Sequence, residues 1–252
     1  MSQVAVTESF ASFDGTRLAV HRLGQGRPVV LLHGLFSSAE MNWLRFGHAQ
    51  RLADAGFEAI MPDLRAHGAS EAPREPEAYP GDVLVRDLGA VVAALGLGEF
   101  DLVGFSLGAR TAASAVVAGL APRRLVLAGM GIEGLSNWQR RSAFFVDVID
   151  RFESITREDR GYVARQFLKT MGTDRVAARL LLTQGVSDMA IADLARITMP
   201  TLVLCGSADR DNGSPQALVE ALPDARLAEV PGTHMSSVTE AAMGEAIVRF
   251  LA

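Results

Sequence analysis

The segment Gly104-Phe105-Ser106-Leu107-Gly108 places a serine between two glycines in the pattern G-x-S-x-G. Chemistry would follow if this serine stood on a sharp turn between a strand and a helix. Such a turn strains its central residue and pushes that side chain outward, and a side chain two residues to either side would strike neighbouring backbone, so both flanks are glycine. The helix that follows would aim its free amides and the positive end of its dipole at the reacting centre. A serine hydroxyl is barely nucleophilic at neutral pH and needs a base. Of the five histidines (His21, His33, His48, His67 and His234), only His234 follows both the serine and a late strand, in Pro231-Gly232-Thr233-His234. The segment Ser237-Val238-Thr239-Glu240 reads as a capping box that starts the last helix and holds this loop from its far side. The histidine in turn needs an acid to fix its tautomer. Asp209, in Gly206-Ser207-Ala208-Asp209, is the first candidate, and Asp211 is held in reserve. A fourth part, the oxyanion hole, is expected from the backbone N–H groups of Leu35, in His33-Gly34-Leu35-Phe36, and of Leu107, with Phe36 as the alternative to Leu35. His33 itself reads as orienting this loop.

These residues act together only if a fold brings them to one edge. Short β-type runs alternate with helical patterns: Pro28–Leu32, Glu58–Met61, Asp101–Val103, Arg124–Ala128, Thr201–Cys205 and Arg226–Glu229 as strands, with helices over Ala39–Ala55, Asp82–Leu95, Leu107–Gly119, Ser214–Leu222 and Ser237–Leu251. The central strands are apolar throughout rather than alternating, as in parallel sheets covered on both faces. The expected architecture is α/β, a doubly wound sheet with right-handed crossovers. Phe10–Phe13 and Leu18–Arg22 flank Asp14-Gly15 and predict an antiparallel pair opening it. The rhythm breaks between Gly131 and Ile197, where Phe144, Phe145, Val148, Ile149 and Phe152, and again Ala164, Phe167, Leu168 and Met171, fall on single helical faces. Residues 131–197 are therefore expected as a helical insertion over the carboxyl edge of a core made of 1–130 and 198–252.

Composition narrows the classes. With 252 residues, 49% hydrophobic, the chain can bury a substantial core without disulfides or metal staples. A net charge of −5 with no basic run argues against a nucleic-acid partner or a membrane-binding helix. The one cysteine, Cys205, lies in an apolar run and reads as a small buried hydrophobe. The start, MSQVAVTESF, has neither the basic residues nor the apolar stretch of a signal peptide, and no window is apolar enough to span a bilayer. The cytoplasm is the default location.

The order Ser106…Asp209…His234 with His33-Gly34 upstream resembles the α/β-hydrolase superfamily over essentially the whole chain. The segment Pro62-Asp63-Leu64-Arg65-Ala66-His67-Gly68-Ala69-Ser70 is similar to that family's D-x-x-G-H-G-x-S loop, with Ala66 in place of the first glycine. Ala109 and Thr233 also stand where glycine is frequent. The resemblance implies the α/β-hydrolase fold, a mostly parallel eight-stranded sheet flanked by helices, with 131–197 as a helical cap. It also implies hydrolysis of a small ester-type substrate through an acyl-enzyme, with no metal or organic cofactor. Relatives that are haloalkane dehalogenases or epoxide hydrolases use aspartate as nucleophile, and dienelactone hydrolases use cysteine. Epoxide hydrolases also draw tyrosines from the cap, where this chain offers only Tyr162. A carboxylic ester or a lactone is the expected substrate. C–C hydrolases and a lyase of the same fold share the triad but need a cationic group for a substrate carboxylate, for which Arg65, Arg110, Arg140 and Arg141 are candidates. A ligand-sensing receptor with vestigial hydrolysis is the reading of another class.

Overall fold

The computed structural model describes residues 4–252; the first three residues of the MSQVAVTESF start lie outside the described residues. Eight strands form one sheet: β1 (Val6–Ala11), β2 (Arg17–Gly24), β3 (Arg27–Leu32), β4 (Phe57–Pro62), β5 (Asp101–Phe105), β6 (Leu125–Ala128), β7 (Thr201–Gly206) and β8 (Ala225–Val230). Their spatial order is β1-β2-β4-β3-β5-β6-β7-β8. β2 runs antiparallel to both β1 and β4, and every later pairing is parallel.

Successive side chains of a strand enter opposite faces, so a strand covered on both sides must be apolar at every position. In β3, Val29 and Leu31 join one core and Val30 and Leu32 the other. The first core includes α1 (His48–Asp54) and α9 (Ala241–Leu251); the second includes α2 (Val83–Ala94), α3 (Leu107–Val117) and α8 (Pro215–Ala221). Between β6 and β7 the chain forms α4 (Ile132–Ser136), α5 (Trp138–Asp150), α6 (Tyr162–Met171), α7 (Arg175–Thr183) and a 3-10 turn at Ile191–Arg196. Leu135, Trp138, Ile149, Leu168 and Leu181 from this segment are buried in the same core as α3. Trp138 Nε1 donates to the Leu182 carbonyl at 3.3 Å, tying α5 to α7.

Three local expectations are corrected. The first strand ends at Ala11 rather than Phe13, because the turn takes Ser12 to Thr16: the Ser12 amide donates to Thr16 O at 2.8 Å and Asp14 Oδ1 accepts from the Thr16 amide at 3.1 Å. The helix expected over Ala39–Ala55 is broken. A π-helical turn covers Glu40–Leu44, Gly47 turns left-handed at φ 73°, and only then does α1 begin. The capping box is absent as well. Ser237 Oγ donates to the His234 carbonyl at 3.2 Å, Ser237–Thr239 is a 3-10 turn, and α9 starts after Glu240. The Ser237 hydroxyl thus serves the histidine loop instead of the helix. Among the described residues no helix is long and apolar enough to cross a membrane.

Candidate active site

The site collects at the carboxyl ends of β3, β5, β7 and β8, where loops leaving parallel strands converge. Ser106 is the residue between β5 and α3 and sits at φ 52°, ψ −111°, a conformation that a non-glycine residue adopts only when its surroundings enforce it. They do so by close approach. A Cβ on Gly104 would lie 2.3 Å from the Gly108 carbonyl oxygen, and one on Gly108 would lie 2.2 Å from the Leu32 carbonyl oxygen. The Ser106 amide donates to Ala128 O at 2.9 Å, which pins the turn to β6.

His234, from the loop after β8, lies with Nε2 3.0 Å from Ser106 Oγ and Nδ1 2.8 Å from Asp209 Oδ2. All three residues are buried. Burial pushes the Asp209 carboxyl up, but the hydrogen bond and charge of His234, the Asp211 amide and the charge of Arg141 outweigh it and hold Asp209 below the usual carboxylate range. Ionised, Asp209 can only accept. Nδ1 therefore donates to Asp209, and Nε2 faces the serine hydroxyl. Asp211 has no such contact: its amide donates to Asp209 Oδ1 at 3.0 Å. The Phe105 ring lies 5.0 Å from the imidazole, between centroids, and covers it from the sheet side.

Beside Ser106 runs the loop after β3. A Cβ on Gly34 would come within 3.5 Å of Ser106 Cβ. Among the described residues the amides of Leu35, Phe36 and Leu107 have no hydrogen-bond partner in the protein. The His33 ring is buried: Nδ1–H donates to Gly34 O at 2.8 Å, and Nε2 accepts from the Leu64 amide at 2.9 Å. This imidazole bridges the loop after β3 to the loop after β4. Asp63 strengthens the same junction, accepting from the amides of Ala39 (2.7 Å) and Ala69 (2.8 Å). Ala66 does adopt the left-handed region, φ 67°, where its glycine counterpart would be unstrained.

Two participants went unmarked in the sequence. Asn42 Oδ1 accepts from the Gly34 amide at 3.1 Å, and Asn212 Nδ2 donates to Gly129 O at 2.6 Å. Both roles depend on contacts between distant loops. Arg110, buried one turn along α3 from Ser106, donates to the carbonyls of Gly134 and Leu135, each at 2.6 Å, and to that of Ser187. Arg110 was named from the sequence as a candidate for a substrate carboxylate; its hydrogen bonds to the helical segment were not.

Above Ser106 lies a cavity of about 360 Å³. The sheet side contributes Phe36, Met41, Phe46 and Met130; the helical segment contributes Trp138, Phe144, Phe145 and Phe167. Of the four arginines considered from sequence, Arg110 and Arg141 line it. Arg65 does not: its guanidinium is taken by Asp14 and Asp87 at 2.6 and 2.7 Å. Arg140 is exposed and outside the lining, and no tyrosine is among the lining residues. Cys205 is buried, donates to Met130 O, and has its thiol pushed up to about 12 by that burial, so it stays protonated and inert. Among the described residues no group of three histidine, cysteine or acidic side chains is arranged to hold a metal.

A model of the alpha/beta hydrolase family matches residues 29–249. Epoxide hydrolase 2 of Siraitia grosvenorii is 35% identical over 102 residues, 40% of this chain and 31% of that protein. The match thus spans about a third of the length of that relative. The AB hydrolase superfamily protein YisY of Bacillus subtilis (strain 168) is 27% identical over 215 residues, covering 77% of this chain and 78% of that one. An esterase (EaEST) from Exiguobacterium antarcticum superposes with a TM-score of 0.81 at 20% identity over 98% of this chain and 99% of that one, a likeness of fold.

Proposed function

This chain belongs to the alpha/beta hydrolase family, and we propose that it works there as a serine hydrolase, cleaving a carboxylic ester or lactone through an acyl-enzyme on Ser106. The observation that supports this reading is the relay itself: Ser106 Oγ to His234 Nε2 at 3.0 Å and His234 Nδ1 to Asp209 at 2.8 Å, at the floor of an apolar cavity. As Oγ attacks the substrate carbonyl, Nε2 takes its proton, and Asp209 stabilises the imidazolium that forms. The tetrahedral oxyanion accepts hydrogen bonds from the amides of Leu35 and Leu107. One such donor is typically worth about 3 kcal/mol. His234 next gives its proton to the departing alkoxide, leaving Ser106 acylated. Water, deprotonated by the same imidazole, then attacks the acyl carbonyl and releases the acid. Segment 131–197 acts as the cap that shields this chemistry.

The similarity to epoxide hydrolases does not extend to the nucleophile. A serine oxygen opening an epoxide would become an ether, which offers no carbonyl for water to attack. An aspartate in that place leaves an ester, which water can cleave. Ser106 therefore favours acyl chemistry.

p-Nitrophenyl esters of graded acyl length test the reading on the wild type, Ser106→Ala and His234→Ala. We expect turnover of short or medium esters by the wild type and a loss of about 10³-fold or more in each variant. A folded wild type inert on every ester and lactone would overturn it.

A further inference from the structure

Two cations, Arg110 and Arg141, stand in a mostly apolar cavity; Asp211 also lines it, but its carboxylate forms no ion pair with either among the described residues. Arg110 is 1% exposed, and its one carboxylate neighbour, Asp188, is 3.5 Å from the guanidinium and itself partly exposed. Its Nε–H is buried with no partner. Arg141, on α5, is half-buried and donates to the backbone carbonyl of Asp211; no carboxylate pairs with it among the described residues. Its guanidinium carbon lies 6.0 Å from the centre of the Phe145 ring. Burial pulls the Arg110 guanidinium down to about 10, with the neighbouring charge of Arg141 acting in the same direction, and burial lowers Arg141 as well. Both remain charged at neutral pH and close enough to repel one another. A cation withdrawn from water without a counter-ion is costly, and the cost is relieved by an anion brought to it. At the rim Arg160, 5.0 Å from the Phe144 ring centre, adds a third positive charge that forms no ion pair among the described residues.

From this arrangement we infer that the substrate carries a free carboxylate beyond the scissile bond, held by the Arg141 guanidinium in the field of Arg110. The inference rests on the hydrolase reading above and names the substrate class for the same site. A carboxylate matches the planar guanidinium fork with two parallel hydrogen bonds. A monoanion suits the place better than a dianion, because the charges of Asp211 and Asp209 also act on Arg141. The apolar body of the ligand packs on Phe144, Phe145 and Phe167, all of which line the cavity. Arg110 donates to three carbonyls of the helical segment and so acts mainly as a latch, which leaves Arg141 as the group that reaches the ligand.

Calorimetric titration of the Ser106→Ala variant tests this without turnover, using monobenzyl succinate and benzyl butyrate, the neutral analogue with a methyl in place of the carboxylate. We expect the hemiester to bind at least about tenfold tighter, as one charge-assisted hydrogen bond warrants. Adding Arg141→Leu should remove that preference while leaving benzyl butyrate within about twofold, and Arg141→Lys should restore part of it. Equal affinities of the two ligands for Ser106→Ala, a comparison that needs no change at 141, would overturn the inference. So would an equal loss for both ligands in Arg141→Leu. Failure of ester turnover in the wild type would sink the hydrolase reading and leave this binding comparison standing, so the two failures are distinguishable.

Discussion

Asp209 and Asp211 differ at the scale of single atoms. Asp209 offers Oδ2 to the imidazole, whereas Asp211 reaches the relay only through its backbone amide. Asp209→Asn replaces an acceptor with an amide that can donate to Nδ1, which would force the proton onto Nε2 and leave Ser106 without a base. We expect kcat on a p-nitrophenyl ester to fall about 10⁴-fold with the melting temperature little changed. Asp211→Asn should keep kcat within about threefold, since the backbone contact survives. Comparable losses in the two variants would contradict the assignment of the acid. That Ser106, Asp209 and His234 would meet could be read from the sequence because each sits a few positions after a recognisable strand. The partners of the backbone could not. Asn42 and Asn212 act by meeting a glycine amide and a glycine carbonyl from other loops, and nothing in their own neighbourhoods marks those contacts.

At the scale of elements, the loop after β4 holds the base of the site in a buried polar cluster. His67 Nδ1–H donates to Arg65 O at 2.8 Å, and its Nε2 is buried without a partner. Burial, reinforced by nearby His33, drives the His67 imidazole down to about 3. An unfolded histidine titrates near 6.5. Between those values the unfolded chain binds a proton that the folded chain refuses, so stability rises with pH across this window and falls on acidification. One such proton is worth about 1.4 kcal/mol per pH unit. Urea unfolding between pH 6.5 and 4 should show a shallower dependence in His67→Gln by about that slope, even if the variant is less stable at pH 7. An unchanged slope would contradict it. The strands after the first were legible within one or two residues, the central ones because two apolar faces make a continuous signal. The breaks were not. Gly47 interrupts the helical pattern of 39–55, and Ser237 spends its hydroxyl on the His234 carbonyl, choices decided by tertiary contacts rather than by local propensity.

Across the whole molecule, one eight-stranded sheet presents the strand ends on which the relay stands, and the helical segment between β6 and β7 roofs it. Alternation of strand and helix made the sheet readable in advance, and its loss marked the helical stretch between β6 and β7. How the insertion sits was not readable, because it depends on Arg110 reaching across from α3 to the carbonyls of α4. The cavity and its arginines are products of that docking. The proposed hydrolysis depends on Ser106 being a nucleophile activated by His234 beneath this roof. A fluorophosphonate ester, which phosphonylates an activated serine, followed by intact-protein and peptide mass spectrometry reads this directly. We expect one adduct per chain, on the peptide containing Ser106, absent from Ser106→Ala and formed at least about a hundredfold more slowly in His234→Ala. A wild type that stays unmodified, or an adduct that survives Ser106→Ala, would contradict the account.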